Sequence, residues 1–356
     1  MTTSLAQQLG QLKLAQKDEI AIPTRTKISF LFDIKQAANI DDQTLFYICQ
    51  SGIKQLEGIL DLSAFQSDLF SENSLQFYRG GQTKDALVSL DAKLELVIKL
   101  LAPHMLETGA HKVLEYLLRI YEIHVNQKVV LLNAFLPYFE TSYFLKMVQC
   151  LALEKDAEYS FLHQYAYRGE AIDQDTLVKA LSRQSGLVFI KYSEFCFSLL
   201  DQQTEASDSL HWKFFGSMLV QVLRAKPDDQ TLMYNTLPYI SRCLKQTAIK
   251  DLKIGAFLAI SQISCRQTLS TEYTQAFVRQ ILNSVVNAGL TEDDVKQQGL
   301  TVLLLLAKYQ EQALPALKAK DFKLLVQEVM LPKLVQKLAQ KYDASPLAKL
   351  VITTVL

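Results

Sequence analysis

The sequence predicts an all-α protein: an α-α superhelix, or solenoid of antiparallel helical hairpins, preceded by an irregular N-terminal segment. Three observations predict it. Apolar residues recur three and four apart, as in Leu94, Val97, Ile98, Leu101 and Met105, in Val113, Leu114, Leu117, Leu118 and Tyr121, and in Val129, Leu132, Phe135 and Leu136. Each stripe must be buried, and every neighbour in sequence offers another of the same kind, which is the plan of stacked hairpins. Helix breakers are scarce, with 12 Gly and 8 Pro in 356 residues. Hydrophobic residues make up 49%, at the upper end for a water-exposed chain, as expected where interior helices bury stripes against hairpins on both sides.

The chain divides by pattern into residues 1–90, a segment packing on the array, and 91–356, the repeats. Ser4 to Leu14 fits a short helix through Leu5, Leu9 and Leu12, which Pro23 separates from the next helical pattern. Asp41 or Asp42 is an N-cap for a helix through Leu45, Phe46, Cys49, Ile53 and Leu56, with Gly58 as its stop. Phe65, Leu69, Phe70, Leu75 and Phe77 are apolar clips onto the first hairpin, and Arg79-Gly80-Gly81-Gln82 is a turn rather than an RNA motif. From there the pattern predicts helices over about 92–106, 109–125, 127–137, 140–153, 156–168, 173–183, 186–202, 208–225, 229–246, 249–265, 271–288, 291–309, 319–340 and 345–356. Asp228-Asp229, Ser270-Thr271-Glu272 and Thr291-Glu292-Asp293 start helices, with acids facing the helix dipole, and Gly289 sits just past an end.

A weak repeat runs through the array. Leu101-Ala102-Pro103, Leu136-Pro137-Tyr138, Leu237-Pro238-Tyr239 and Leu331-Pro332-Lys333 each set a proline within or at the edge of a helix, as HEAT repeats do in the first helix of a pair. Leu237 to Ile263 reads as the fullest unit, and at about 40 residues per unit the array holds six or seven. Pro346 to Leu356 ends apolar without a polar cap, which reads as a chain that continues beyond it.

Thirty-seven basic residues balance 37 acidic ones, which weighs against whole-chain electrostatic binding of nucleic acid. The longest apolar run, near Val302 to Ala307, is far short of a membrane span. Cys49, Cys150, Cys196, Cys243 and Cys265 form an odd, widely spaced set, read as buried reduced thiols. No His or Cys pair has metal-ligand spacing, and no phosphate-cradling glycine loop or nucleophile turn occurs. The sequence therefore assigns no catalytic residue, no cofactor, no metal, no membrane and no small-molecule substrate. Eight Lys against four acids between Lys308 and Lys349, with Lys318, Lys320 and Lys323, read as a solvated helix face, with an RNA-facing edge as the alternative. The aromatic clusters Tyr159 to Tyr167 and Phe189 to Phe197 read as core, with a peptide groove second and base stacking third.

Two stretches are more specific than periodicity. One is Leu31-Phe32-Asp33-x-Lys35-x-Ala37-Ala38-x-Ile40-Asp41-x-x-Thr44-x-Phe46-x-Ile48-x-x-x-Gly52; the other runs from Leu114-Glu115-Tyr116-Leu117 through Arg119 to Asn126 and on to Leu136-Pro137-Tyr138-Phe139-Glu140-Thr141. With the opening Ser4 to Leu9, they resemble the N-terminal region of the large HEAT-repeat subunit of the small-subunit processome, the family of U-three-protein ten and HEAT-repeat-containing protein one. The match covers roughly residues 1 to 150 and fades beyond; Phe139 departs from it, where the family often carries His. The resemblance implies a long nucleolar solenoid without an active site. It implies partners within the UtpA subcomplex, rich in WD-repeat propellers, and the pre-rRNA external transcribed spacer. It also implies a link to ribosomal RNA transcription. A tail of a propeller subunit lying along the array is the contact expected on this basis. A HEAT or armadillo adaptor of another nuclear system would call for a column of Asn or Trp, and Trp212 stands alone. Since second helices line the inner surface of most HEAT arrays, Tyr143, Lys146, Arg183 and Lys191 are the candidate partner-binding residues.

Overall fold

A computed structural model of the chain describes residues 28–151, 153, 158–200, 210–246, 249–288, 293–310 and 331–355. Their regular elements are all helices, without a strand among the described residues. They form two compact units, divided between Ala171 and Ile172.

The first unit opens with α1 (Ile34–Asn39) and α2 (Asp42–Leu56). Asp33 caps α1 in a reciprocal box with Gln36, and Asp41 caps α2 by accepting from the Thr44 N–H at 2.7 Å. Gly58, with φ +88°, takes the left-handed conformation just beyond α2, as the stop expected there. After α3 (Ser63–Gln66) come α4 (Lys84–Leu101), α5 (Thr108–Tyr121), α6 (Ile123–Asn126), α7 (Lys128–Phe135), α8 (Ser142–Cys150) and α9 (His163–Arg168). Thr83 caps α4 eight residues ahead of the expected start. Helix α5 ends at Tyr121 because Glu122 turns left-handed (φ 55°), so the single helix expected over 109–125 is two. Pro103 and Pro137 each follow a helix into one 3-10 turn. Arg79-Gly80-Gly81 is also a 3-10 turn, pinned by an ion pair from Arg79 to Asp91 at 2.5 Å.

Among the described residues, the helices before residue 91 pack into the same compact unit as those that follow it. The most extensive seam of the first unit is α2 against α5. There Gly52 and Gly109 let the backbones touch: a Cβ on Gly52 would lie 2.7 Å from the Gly109 carbonyl oxygen. Loss of the side chain at both crossing points, rather than composition, ties the N-terminal helices into the unit. The predicted helix over Ser4–Leu14, Pro23, Gly289, Lys318, Lys320 and Lys323 lie outside the described residues.

The second unit stacks hairpins in two layers. Helices α11 (Leu187–Leu200), α13 (Gln230–Lys245) and α15 (Thr271–Val286) form one layer; α10 (Gln174–Leu181), α12 (Leu210–Ala225), α14 (Lys250–Arg266) and α16 (Asp293–Tyr309) form the other. Pro238 lies inside α13. Helices α17 (Leu331–Ala339) and α18 (Ser345–Val355) pack on α16, burying Leu347 and Leu350 and leaving Ile352 exposed. Neighbouring helices of a layer meet at a constant offset. Gly216 faces Gly255, Ser241 bonds Gln280, and Leu244 bonds Ser284, all 39 or 40 residues apart, which is one HEAT period.

Four cysteines are buried, and burial pushes their thiols up, Cys150 to about 12. Cys265 departs from the expectation: it sits on the solvent side of α14.

Candidate interaction surface

The first unit holds a buried carboxylate in an otherwise apolar helix. Glu115 of α5 is fully buried. Its oxygens accept from the Phe30 N–H (2.7 Å), the Leu31 N–H (3.0 Å) and the Ser29 hydroxyl (2.7 Å). Arg119, one turn on and nearly buried, donates to the Ile40 carbonyl at 2.9 Å and sets its guanidinium 4.0 Å from Glu115. Cys150 donates to the Ser29 carbonyl at 3.3 Å. A charge taken from water must be met by donors, and here one side chain satisfies the backbone of a turn that has no regular structure to do so. The clamped turn sinks Phe30 among His111, Phe135 and Tyr143. Burial holds the His111 imidazole below its usual value, and its Nε2 donates to the Met105 carbonyl at 2.7 Å.

Beside this turn lies a groove of about 960 Å³, lined by Ile28 to Lys35 with Lys146, Gln149 and Cys150 of α8. Ile34, 82% exposed, stands at its edge. The structure thus brings Tyr143 and Lys146 together, one turn apart on α8. Lys146 is exposed and lines the groove. Tyr143 is half-buried, its ring 4.2 Å from that of His111, so it serves the clamp as well as the surface.

Arg183 and Lys191 belong to the second unit. Neither is on a second helix. Arg183 is exposed in the connection after α10, ahead of a 3-10 turn where Gln184 and Ser185 take positive φ. Lys191 is half-buried on α11, in the layer of first helices. Helix phase gave these residues a face, but which helix begins a hairpin depends on pairing that phase does not contain.

Sequence reasoning passed over Glu115 and two lysines, Lys253 and Lys296, which are 4% and 2% exposed in the first turns of α14 and α16. Each belongs to a hydrophobe-Lys-x-x-small pattern on one layer: Val178-Lys179 to Ser182, Trp212-Lys213 to Gly216, Leu252-Lys253 to Ala256, and Val295-Lys296 to Gly299. That recurrence was a signal; so was a Glu inside the stripe of α5. Among the described residues, no group of His, Cys, Asp and Glu could hold a metal ion, and no helix is long and apolar enough to cross a membrane.

Stacked hairpins at a 39- to 40-residue offset, with cavities along helix seams, define a helical-repeat protein of the HEAT kind. The family model described as U3 small nucleolar RNA-associated protein 10 matches residues 232–355. HEAT repeat-containing protein 1 of Homo sapiens is 29% identical over 97% of this chain and 16% of its own length. The protein of that name from Danio rerio is 26% identical over 97% of this chain and 16% of its own. U3 small nucleolar RNA-associated protein 10 of Candida albicans is 26% identical over 90% of this chain and 18% of its own. The chain is similar to these proteins along nearly its whole length, and it spans about a sixth of the length of the human and zebrafish relatives. The likeness runs well past residue 150, where the motifs alone had it fade.

Proposed function

We propose that this chain is a docking segment of a non-catalytic scaffold in ribosome biogenesis, acting in the nucleolus on the path to small-subunit rRNA. The observation that carries the reading is the similarity to HEAT repeat-containing protein 1 along 97% of the chain. The naming of other relatives as U3 small nucleolar RNA-associated proteins supports it. The partners proposed are other UtpA subunits, with a tail of a WD-repeat propeller subunit seated in the groove beside Lys146, Gln149 and Ile34. That groove offers apolar area flanked by Lys35 and Lys146, suited to an extended, acidic-apolar segment. A link to ribosomal RNA transcription belongs to the same reading.

Affinity purification of the chain from a nuclear extract, with and without RNase and read by mass spectrometry, tests it. Propeller subunits retained after RNase, and lost with Lys146→Glu, are expected. Recovery of nuclear transport factors in their place would sink the assignment. A second reading, direct RNA contact, is favoured by the cations and exposed tyrosines on one face of the second unit.

A further inference from the structure

Charge is balanced over the whole chain but not along it. From Gln55 to Tyr78 there are four acids, Glu57, Asp61, Asp68 and Glu72, and no Lys or Arg. Asp68 is paired with Lys93. Glu57 and Asp61 are exposed and line a groove of about 400 Å³ just beyond α2. Neither Lys54 nor Arg79, the bases on either side in sequence, lines it. The rest of the wall is largely apolar: Ile53 and Leu62 are buried in it, Leu60 is half-buried, and Ile59 is 52% exposed. Over Gly58 an added Cβ would meet nothing within 4 Å, so the backbone there lies open to a partner.

Two further features fix the sign of the groove. Hydrogen bonds from Ser63 hold the Asp61 carboxyl below its usual range, so it stays charged. Helix α2 ends at Leu56, which sets the groove at the negative end of the helix dipole. The groove is also remote from the one beside Lys146. Helix α5 runs antiparallel along α2, with Gly109 beside Gly52 and Arg119 on the Ile40 carbonyl, so the two grooves lie at opposite ends of α2. At 1.5 Å per residue its 15 residues span about 22 Å.

We propose that this groove docks a basic peptide segment of a partner protein. An apolar side chain of the segment covers Ile59, and Lys or Arg on either side meets Glu57 and Asp61. The charge decides the class of ligand. The same acids repel nucleic acid and an anionic membrane, and among the described residues no group of His, Cys, Asp and Glu could hold a metal ion. The first unit then presents two grooves of opposite sign, one for an acidic segment and one for a basic one, so a single unit can join two clients. The inference adds a surface to the docking role and fails separately from it, since a change at Glu57 leaves the Lys146 groove as it is.

The test is fluorescence anisotropy of the whole chain with a labelled peptide of alternating Lys and Leu, across a salt series. An oligolysine peptide and a Glu–Leu peptide of equal length serve as competitors. Binding of the Lys–Leu peptide that weakens with salt is expected, several-fold tighter than oligolysine, with no displacement by the Glu–Leu peptide. Glu57→Lys, at an exposed position, should weaken it several-fold and flatten the salt dependence. Ile59→Ser should weaken it several-fold with the salt dependence kept, and Lys146→Ala should leave it unchanged. Hydrogen exchange should slow on peptide addition within residues 53–66. Unchanged thermal melting of each variant separates these effects from misfolding. No binding at hundreds of micromolar, displacement by the Glu–Leu peptide, or an affinity indifferent to Glu57→Lys would each overturn the proposal. So would a concentration-dependent dimer abolished by Ile59→Ser, because the occupant would then be a second copy of the chain.

Discussion

A carboxylate buried in a helix must be met by donors, and at Glu115 they come from a turn 84 to 86 residues earlier. The turn and the charge depend on each other: without Glu115 two backbone N–H groups lose their acceptor, and without the turn a charge is left buried. Glu115→Gln keeps the shape but offers one acceptor oxygen and turns an amide toward donors. It should cost about 2 kcal/mol or more, and Glu115→Ala about 3–5 kcal/mol, in urea unfolding. If Glu115→Gln matched the parent, burial of Phe30 alone would be holding the turn. The histidines act in a different window. Burial holds His104, His111 and His124, all in the first unit, below the usual value of 6.5. Well above 6.5 neither the folded nor the unfolded state binds the proton, and the contribution is nil. As pH falls through about 6.5 the unfolded chain takes up protons that the folded unit refuses, so stability drops. Unfolding of the first unit should therefore show lower midpoints at about pH 5.5 than at about pH 7.5, with a shallower dependence in a His111→Gln, His124→Gln variant. The capping aspartates Asp41 and Asp173, held low by bonds from Thr44 and Thr176, contribute fully above about pH 4 and lose that contribution as pH falls below it. At this scale the sequence was least legible. The polar tip of Tyr143 suggests a surface role, yet its ring rests on His111, a neighbour that only the fold supplies.

Helices meet closely where neither side has a Cβ. At Gly52 with Gly109, and at Gly216 with Gly255, the obstacle to a larger residue is backbone, which cannot swing aside. A Cβ on Gly255 would lie 2.8 Å from the Gly216 Cα. Gly255→Ala should then force α12 and α14 apart and cost about 1–3 kcal/mol in urea unfolding. Gly81→Ala, whose added carbon meets only the Tyr78 ring at 3.5 Å, should be near neutral. Equal midpoints for the two variants would mean that the crossing adjusts freely. The helices themselves were legible from apolar phase: α13 falls at 230–245 against an expected 229–246, and α14 at 250–266 against 249–265. The start of α4 was missed because its first turns, Lys84 to Leu90, are exposed or half-exposed and carry no buried stripe. Thr83 marks that start all the same, as a cap.

At the scale of the whole molecule, the all-α hairpin plan was legible because every stripe needs a partner and only other stripes are near in sequence. The helical pattern becomes regular near residue 90, and the α2–α5 seam, between segments more than 50 residues apart, joins described helices from both sides of that point in one compact unit. The recurrence that organises the second unit lies less in its prolines than in polar residues that a search for chemistry sets aside. Gln310, just past α16, shows what such a residue does. Its amide donates to the carbonyls of Ser264 and Gln267 at 2.8 and 2.7 Å, and its oxygen accepts from the Leu269 N–H at 2.9 Å. Gln267 in turn donates to the Pro227 carbonyl of the connection before at 2.7 Å. Two successive hairpins of the second unit are thus stitched to the connections behind them. Removing either glutamine side chain would leave open backbone groups that belong to the preceding hairpin, so the cost of the change falls on a neighbour rather than on the hairpin that carries it.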